Sequence, residues 1–231
     1  MPAAARPLMI LAAGFGSRMG ALTAARPKPL IPVAGRALID HALAVAAGAG
    51  AAPVVVNLHY RGEMLAAHLA GRGVRLSWER GSILDTGGGL RAALPLLGPG
   101  PVFTLNADAV WTGANPLVQL AAAWDPARME ALLLLLPVAE ATGFAGAGDF
   151  VVDAAGRLER AAGRPGMAYL SAQIIDPAVL HAVPETVFSL NRVWDLLIAR
   201  GRAFGLVHQG GWCDVGRPEG IAMAERMLAG G

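Results

Sequence analysis

Cysteine is nearly absent from this chain: Cys213 stands alone among 231 residues. An internal disulfide and a cysteine zinc site are therefore excluded, and a reducing, cytoplasmic setting is expected. Lysine is as scarce, because Lys28 is the one lysine among 19 Lys+Arg positions. Charged residues make up only 16% of the chain, and its formal charge of +2 comes from scattered arginines. No dense basic run offers a surface to nucleic acid or to a membrane, so neither partner is expected. Long apolar runs are missing too. The stretch EALLLLLPVA, residues 130–139, is closed by Pro137 and falls far short of the ~20 residues of a membrane span; it reads as a buried strand. The histidines at 41, 59, 68, 181 and 208 form no H-x-H or H-x-x-x-H pair, which argues against zinc. No Gly-x-Ser-x-Gly elbow exists and nothing around Cys213 resembles a nucleophile motif, which argues against covalent acyl chemistry. The opening MPAAARPLMILAAGFGSRMG loosely imitates a secretory signal, but its apolar part is short and ends in Gly14, Gly16 and Arg18, so it reads as strand plus loop.

What is present is apolar and ordered: 55% hydrophobic residues and 30 glycines, enough to bury a full core in one domain spanning 1–231. Short apolar runs (7–13, 52–58, 74–79, 101–108) alternate with helical patterns (36–50, 62–70, 88–97). This alternation predicts an α/β fold with a mostly parallel sheet covered on both faces, its functional loops gathered on one rim. Three loops are expected there, after strands ending near Ala13, Glu79 and Asn106. Further on, a helix over 116–125, the leucine strand, a hairpin through VVDAAGRLER, a strand over 168–176, helices near 177–182 and 188–200, a strand over 203–209 and a closing helix are expected.

The loop LAAGFGSRMG carries glycines at 14, 16 and 20, which let backbone N–H groups approach phosphate oxygens. It is neither a Rossmann fingerprint, since Met19 stands where the third glycine would be, nor a P-loop, since Gly-Lys-Ser/Thr is absent. Downstream, Pro27 and Pro29 flank Lys28 and predict an extended, stiff presentation of its ammonium. Such a compact charge suits one phosphate oxygen, while the fork of Arg18 suits two. Asp108 lies just past an apolar strand, a natural place for a Mg²⁺ ligand beside phosphates. Asp149 and Asp214 sit in similar glycine-bracketed turns beside an aromatic residue, and spacing alone leaves open which acids converge. Phosphate cradle, fixed cations and metal-binding acid together suit phosphoryl or nucleotidyl transfer.

The segments LAAGFGSRM and LTAARPKPLIPVAGRALIDHAL, followed in order by VVVNLHY, LDTGGGLRAALPLLG, LNADAVW, GDF, FSLNRVWDLLIARGR and GWCDVGRPE, resemble the sugar-1-phosphate nucleotidyltransferases. Within these the chain is similar to the short N-acetylmuramate 1-phosphate uridylyltransferases and mannose-1-phosphate guanylyltransferases. The resemblance implies a three-layer α/β/α, Rossmann-like fold and the reaction of an NTP with a sugar 1-phosphate to give an NDP-sugar and pyrophosphate. It implies a nucleotide-binding half over about 1–115 and a sugar-phosphate half over about 116–231. Ala12, Ala13, Gly14, Gly16, Ser17, Arg18, Lys28, Asp85, Thr86, Gly87 and Gly88 would bind the nucleotide, with Thr86–Gly88 approaching the base. Arg18, Lys28 and Asp108 would be catalytic, Asp108 and Asp214 would hold Mg²⁺, and Asn106, Asp149 and Gln173 would meet the sugar phosphate.

Three positions depart from the family pattern. Asp85 replaces a common Glu, Arg217 replaces the usual Thr after DVG, and Ser171 or Gln173 in YLSAQII alters the expected aromatic-Gly pattern. UTP and N-acetylmuramate 1-phosphate are the favoured substrates, on a monomer or homodimer. The alternatives are a GDP-mannose-forming guanylyltransferase and, in another class, a non-catalytic nucleotide sensor. A dinucleotide oxidoreductase fails on Met19 and on the lack of an acid at the ribose position.

Overall fold

A computed structural model describes residues 5–230. The first four residues of the signal-like stretch lie outside the described residues, and its apolar part is strand β1 (Leu8–Leu11). A hairpin of β2 (Pro32–Val33) and β3 (Arg36–Ala37) leads into helix α1 (Leu38–Gly48). The alternation then continues through β4 (Val54–Leu58), α2 (Gly62–Leu69), β5 (Arg75–Trp78), α3 (Asp85–Leu97) and β6 (Val102–Asn106). Next come β7 (Ala109–Gly113), α4 (Pro116–Ala123), β8 (Ala131–Pro137), the hairpin of β9 (Phe150–Val152) and β10 (Leu158–Arg160), and β11 (Met167–Ile175). Helix α5 (Leu190–Ala199), β12 (Ala203–Val207), β13 (Gly210–Asp214) and α6 (Pro218–Ala229) close the chain. Local chemistry sets several boundaries. Asn115 caps α4 by accepting from the Leu117 and Val118 amides, with Pro116 in the first turn, and Ser189 caps α5 by accepting from Asn191.

Among the described residues nine strands form the main sheet. Strands β6, β1, β4 and β5 run parallel, β11 lies antiparallel between β6 and β8, and β12 is parallel to β8. The β9–β10 hairpin joins at the start of β11, where Phe150 pairs with Met167. Side-chain alternation divides the core as the sheet requires. Leu8 and Ile10 join Ile39, Leu65 and Leu117 on one face, and Met9 joins Leu90, Val193 and Leu197 on the other. Helices therefore cover both faces, giving three α/β/α layers. The order of strands reverses beside β1, because the chain passes through β4 and β5 on one side and returns at β6 on the other. A crevice opens at such a switch point, beyond the C-terminal ends of the strands, and here Leu11 pairs with Asn106 at its floor. No helix among the described residues is long and apolar enough to cross a membrane.

Three local expectations change. Lys28 is not extended: Pro27 is (φ −69°, ψ 150°), but Lys28–Leu30 makes one 3₁₀ turn, closed by the Leu30 amide on Pro27 O and the Ile31 amide on Lys28 O. Between the strand expected over 203–209 and the closing helix lies a further strand, β13, zipped antiparallel to β7 from Gly210↔Gly113 to Asp214↔Ala109. Its alternating pattern is short and glycine-rich, so the partner strand decides it. Helix α3 begins at Asp85 and takes the Thr-Gly-Gly-Gly run into its first turns.

Close packing explains those glycines. A Cβ on Gly87 would lie 2.4 Å from the Phe188 ring, one on Gly88 2.4 Å from the Thr186 carbonyl oxygen, and one on Gly89 2.6 Å from the Glu79 carboxylate. The Gly87 and Gly88 amides both donate to Phe188 O, at 2.9 and 3.0 Å. Because Gly88 faces backbone that has little freedom to retreat, Gly88→Ala is expected to cost about 1–3 kcal/mol by overpacking. Thermal melting of the variant should show Tm several degrees lower; an unchanged Tm would mean that the 184–188 segment yields freely.

Candidate active site

The crevice holds two adjoining clefts. The first is lined by Leu11–Gly14, Gly16, Ser17, Arg18, Lys28, Pro29, Asn57, Glu79, Ile83, Asp85, Thr86, Asn106, Ala107, Asp108 and Gly216. The second is lined by Asp149, Phe150, Arg160, Tyr169, Ser171, Ser189, Leu190, Asn191 and Trp194, and shares Leu11, Thr86 and Asn106 with the first.

At the floor of the first cleft the Lys28 ammonium lies 2.6 Å from Asp108 Oδ2. Lys28 is only 8% exposed. Its position is set by the glycine loop, since a Cβ on Gly16 would fall 2.9 Å from Lys28 Cβ, and Gly16 has φ +64°. That residue must therefore be glycine on two counts. Thr23 Oγ1 donates to the carbonyls of Gly16 and Gly20, Tyr60 Oη donates to Thr23 O, and Phe15 at the loop tip packs edge-on to His59 and Tyr60, each at 5.6 Å. Ser17 and Arg18 open the 3₁₀ segment that follows, both exposed to the cleft.

Asp108 and Asp214 are 106 residues apart in sequence (214 − 108), and the β7–β13 ladder brings their strands together: Asp214 pairs with Ala109, and the Val215 amide donates to Asp108 O. Burial pushes the Asp214 carboxyl up to about 6, Asp108 adds to the rise, and Lys28 and Arg18 oppose it. Two carboxylates crowded so that one resists ionisation, with only oxygen donors, form a set that a hard divalent cation relieves. Among the described residues no group of three or more His, Cys, Asp or Glu forms a metal site, so the remaining ligands of Mg²⁺ would be phosphate oxygens and water. The neighbouring Cys213 is buried and its thiol is pushed up to about 11 by burial and by Asp214, which makes it unreactive.

Asn57 and Glu79 were not expected as site residues. Asn57 Oδ1 accepts from the Ala12 amide at 2.6 Å, Asn57 Nδ2 donates to Glu79 Oε1 at 2.6 Å, and Glu79 Oε2 accepts from the Leu84 amide at 2.7 Å. This chain ties the ends of β1, β4 and β5 to the start of α3. Glu79 is 3% exposed, and the signal that could have found both residues is a polar side chain closing each of two apolar strands, VVVNL and LSWE.

Other expected residues fall in three ways. Ala12, Ala13, Gly14, Thr86 and Asn106 line the first cleft. Asp85 lines it as well, at φ +62°, with Oδ1 accepting from the Thr86 amide. Asp149 lines the second cleft, its Oδ2 accepting from the Tyr169 amide at 2.8 Å. Gly87, Gly88 and Gln173 line neither. The two glycines are packed against the 186–188 segment, and both of their amides donate to Phe188 O. Gln173 is 0% exposed and its Oε1 accepts from Trp194 Nε1 at 2.9 Å, so it stands behind the wall of the second cleft. Arg217 precedes α6 and is exposed, outside both clefts. Arg160 and Asn191, unforeseen, close the second cleft: the guanidinium donates to Asn191 Oδ1, Asn191 O and Asp195 Oδ1 at 2.9, 2.8 and 2.7 Å and lies over the Phe150 ring.

Comparison with known proteins agrees with this geometry. A protein of Caulobacter vibrioides named N-acetylmuramate alpha-1-phosphate uridylyltransferase is 41% identical over 240 aligned positions, covering 99% of each chain. A Dictyostelium discoideum protein named mannose-1-phosphate guanylyltransferase catalytic subunit beta is 26% identical, covering 91% of this chain and 61% of the relative. A Bacillus anthracis protein crystallised with sucrose shares the fold, with TM-score 0.77 at 18% identity over 95% of this chain and 94% of the other. The model of the MobA-like NTP transferase domain matches residues 8–172, and the chain belongs to that family.

Proposed function

We propose that this chain transfers a uridylyl group from UTP to N-acetylmuramate 1-phosphate, in a Mg²⁺-dependent reaction that gives the UDP-sugar and pyrophosphate. The observation that carries the reading is the Lys28–Asp108 pair at 2.6 Å, set beside Asp214 beneath the glycine loop. UTP and this sugar are favoured over GTP and mannose 1-phosphate because the uridylyltransferase relative matches end to end and the guanylyltransferase relative is more distant. The first cleft draws all its lining residues but Gly216 from before residue 115, and the second draws most of its own from after 116. This division supports a nucleotide half and a sugar-phosphate half.

The triphosphate would lie on the amides of the glycine loop, with the fork of Arg18 spanning oxygens. Asp108 engages one N–H of the Lys28 ammonium, which leaves two donors for phosphate oxygens. Asp108 and Asp214 would hold Mg²⁺, which when bound neutralises phosphate charge and fixes the geometry of displacement. Thr86 and Asn106 stand at the passage between the clefts, where the phosphate of the sugar would reach the α-phosphorus. There the bond from that oxygen to the α-phosphorus forms as the bond to the bridging oxygen of pyrophosphate breaks. Lys28 and Arg18 stabilise the charge that develops on the leaving group. The attacking phosphate oxygen is already ionised, so no general base is required, which agrees with a cleft that offers no histidine.

Pyrophosphate release measured with Mg²⁺, with each of UTP, GTP, dTTP and CTP, and with a panel of sugar 1-phosphates should be fastest for UTP with N-acetylmuramate 1-phosphate and should cease with EDTA. No release with any pair would end the nucleotidyltransferase reading. Lys28→Met removes the ammonium and keeps the stem that packs on Gly16; turnover should fall roughly 10²–10³-fold, the scale of one lost electrostatic stabiliser, and normal turnover would refute the role given to Lys28.

Asp214 makes a separate prediction for the metal-free protein. Burial raises its folded pKa to about 6, above the ordinary carboxyl value of 3.8, so its favourable contribution is fully present below 3.8 and is lost as pH rises through 6. Asp214→Asn should therefore melt higher than the wild type at pH 8, and the gap should close towards pH 4, while turnover is lost. Equal melting curves at pH 8 would show that the carboxylate ionises there without cost.

A further inference from the structure

Five described residues other than glycine have positive φ. Ala34 and Ala162 lie in turns, and Arg61 precedes α2. The remaining two, Asp85 and Ser171, line the two clefts. Ser171 is the one inside a strand, at φ +61°. A left-handed serine is disfavoured because its Cβ crowds the backbone, and neither a turn nor a cap demands it there.

The register shows what the distortion does. On β11 the residues Leu170, Ser171 and Ala172 fill the interval between Tyr169↔Leu135 and Gln173↔Leu133, an interval that Leu134 alone fills on β8. The strand bulges, and Ser171 stands with Tyr169 in the wall of the second cleft while Leu170 and Ala172 remain buried. Bulges beside ligand sites serve to re-aim a side chain, and strain that survives at such a site is held by the surrounding structure. Here the fold has what it needs to hold it: β8 pairs with β11 before and after the bulge, β6 pairs with it from Ala172 onward, and Tyr169 packs edge-on to Trp194 at 4.8 Å. Glycine would satisfy the backbone at this position more readily, but it has no side chain to offer the cleft.

Resting on the nucleotidyl-transfer reading, we propose that Ser171 is a sugar-specificity residue: the bulge turns its hydroxyl to hydrogen-bond a polar ring substituent of the sugar 1-phosphate. Two variants separate backbone from hydroxyl. Ser171→Ala keeps the strain and removes the hydroxyl; Ser171→Gly removes both. Steady-state kinetics with UTP and N-acetylmuramate 1-phosphate should show KM for the sugar phosphate raised about 10-fold in both variants, with KM for UTP unchanged. Ser171→Gly alone should raise Tm, by about 2–4 °C. Wild-type KM for the sugar phosphate in Ser171→Ala on an active enzyme would overturn this inference and leave the nucleotidyl-transfer reading intact, as would a Ser171→Gly protein that melts no higher than the wild type. A wild-type protein without turnover would overturn the underlying reading and this inference with it.

Discussion

An ion pair that joins the buried Lys28 to the half-buried Asp108 at 2.6 Å is the constraint around which this molecule is arranged. An ammonium almost withdrawn from water requires a partner, because leaving it unpaired there would be strongly unfavourable. The partner arrives from the end of β6, the glycine loop leaves the neighbouring β1, and the β7–β13 ladder delivers Asp214 to the same place. Three distant segments thus meet at the point where the strand order reverses.

The pair also accounts for details that look unrelated in the sequence. Gly16 is glycine because Lys28 Cβ comes within 2.9 Å of where its own Cβ would be. Asp214 is held partly against its ionisation by burial and by Asp108, a tension that a divalent cation would relieve. The site is thereby built for charge: Lys28 and Asp108 at the floor, Arg18 exposed on the loop above them and Asp214 behind Gly216. That composition fits a reaction in which the protein positions and neutralises phosphates and makes no covalent bond of its own.

Much of this was legible in the sequence, and the misses share a cause. Strands such as LMIL and VFTLN are apolar because both of their faces are covered, so the alternation of strand and helix was readable directly. The glycine loop, Lys28 and Asp108 were readable because each departs from its surroundings. The conformation of Lys28 was misjudged because the turn is closed by hydrogen bonds from Leu30 and Ile31, which the proline rule does not see. The strand role of Gly210–Asp214 depends on a partner some 100 residues earlier, and Gln173 and Trp194 meet only across the fold. The close packing of Gly87–Gly89 against Phe188, Thr186 and Glu79 likewise joins segments far apart in the chain. Proline and glycine rules describe a residue's own backbone, and these residues were decided by their neighbours.

In the proposed reaction the cleft joins a nucleotide to a sugar phosphate with loss of pyrophosphate. Phosphorus-31 NMR of UTP, N-acetylmuramate 1-phosphate and Mg²⁺ with the protein follows every phosphorus at once. The sugar 1-phosphate resonance should disappear as a coupled diphosphate pair and pyrophosphate appear in equal amounts. Appearance of inorganic phosphate with the sugar 1-phosphate untouched, or no change at all, would contradict it.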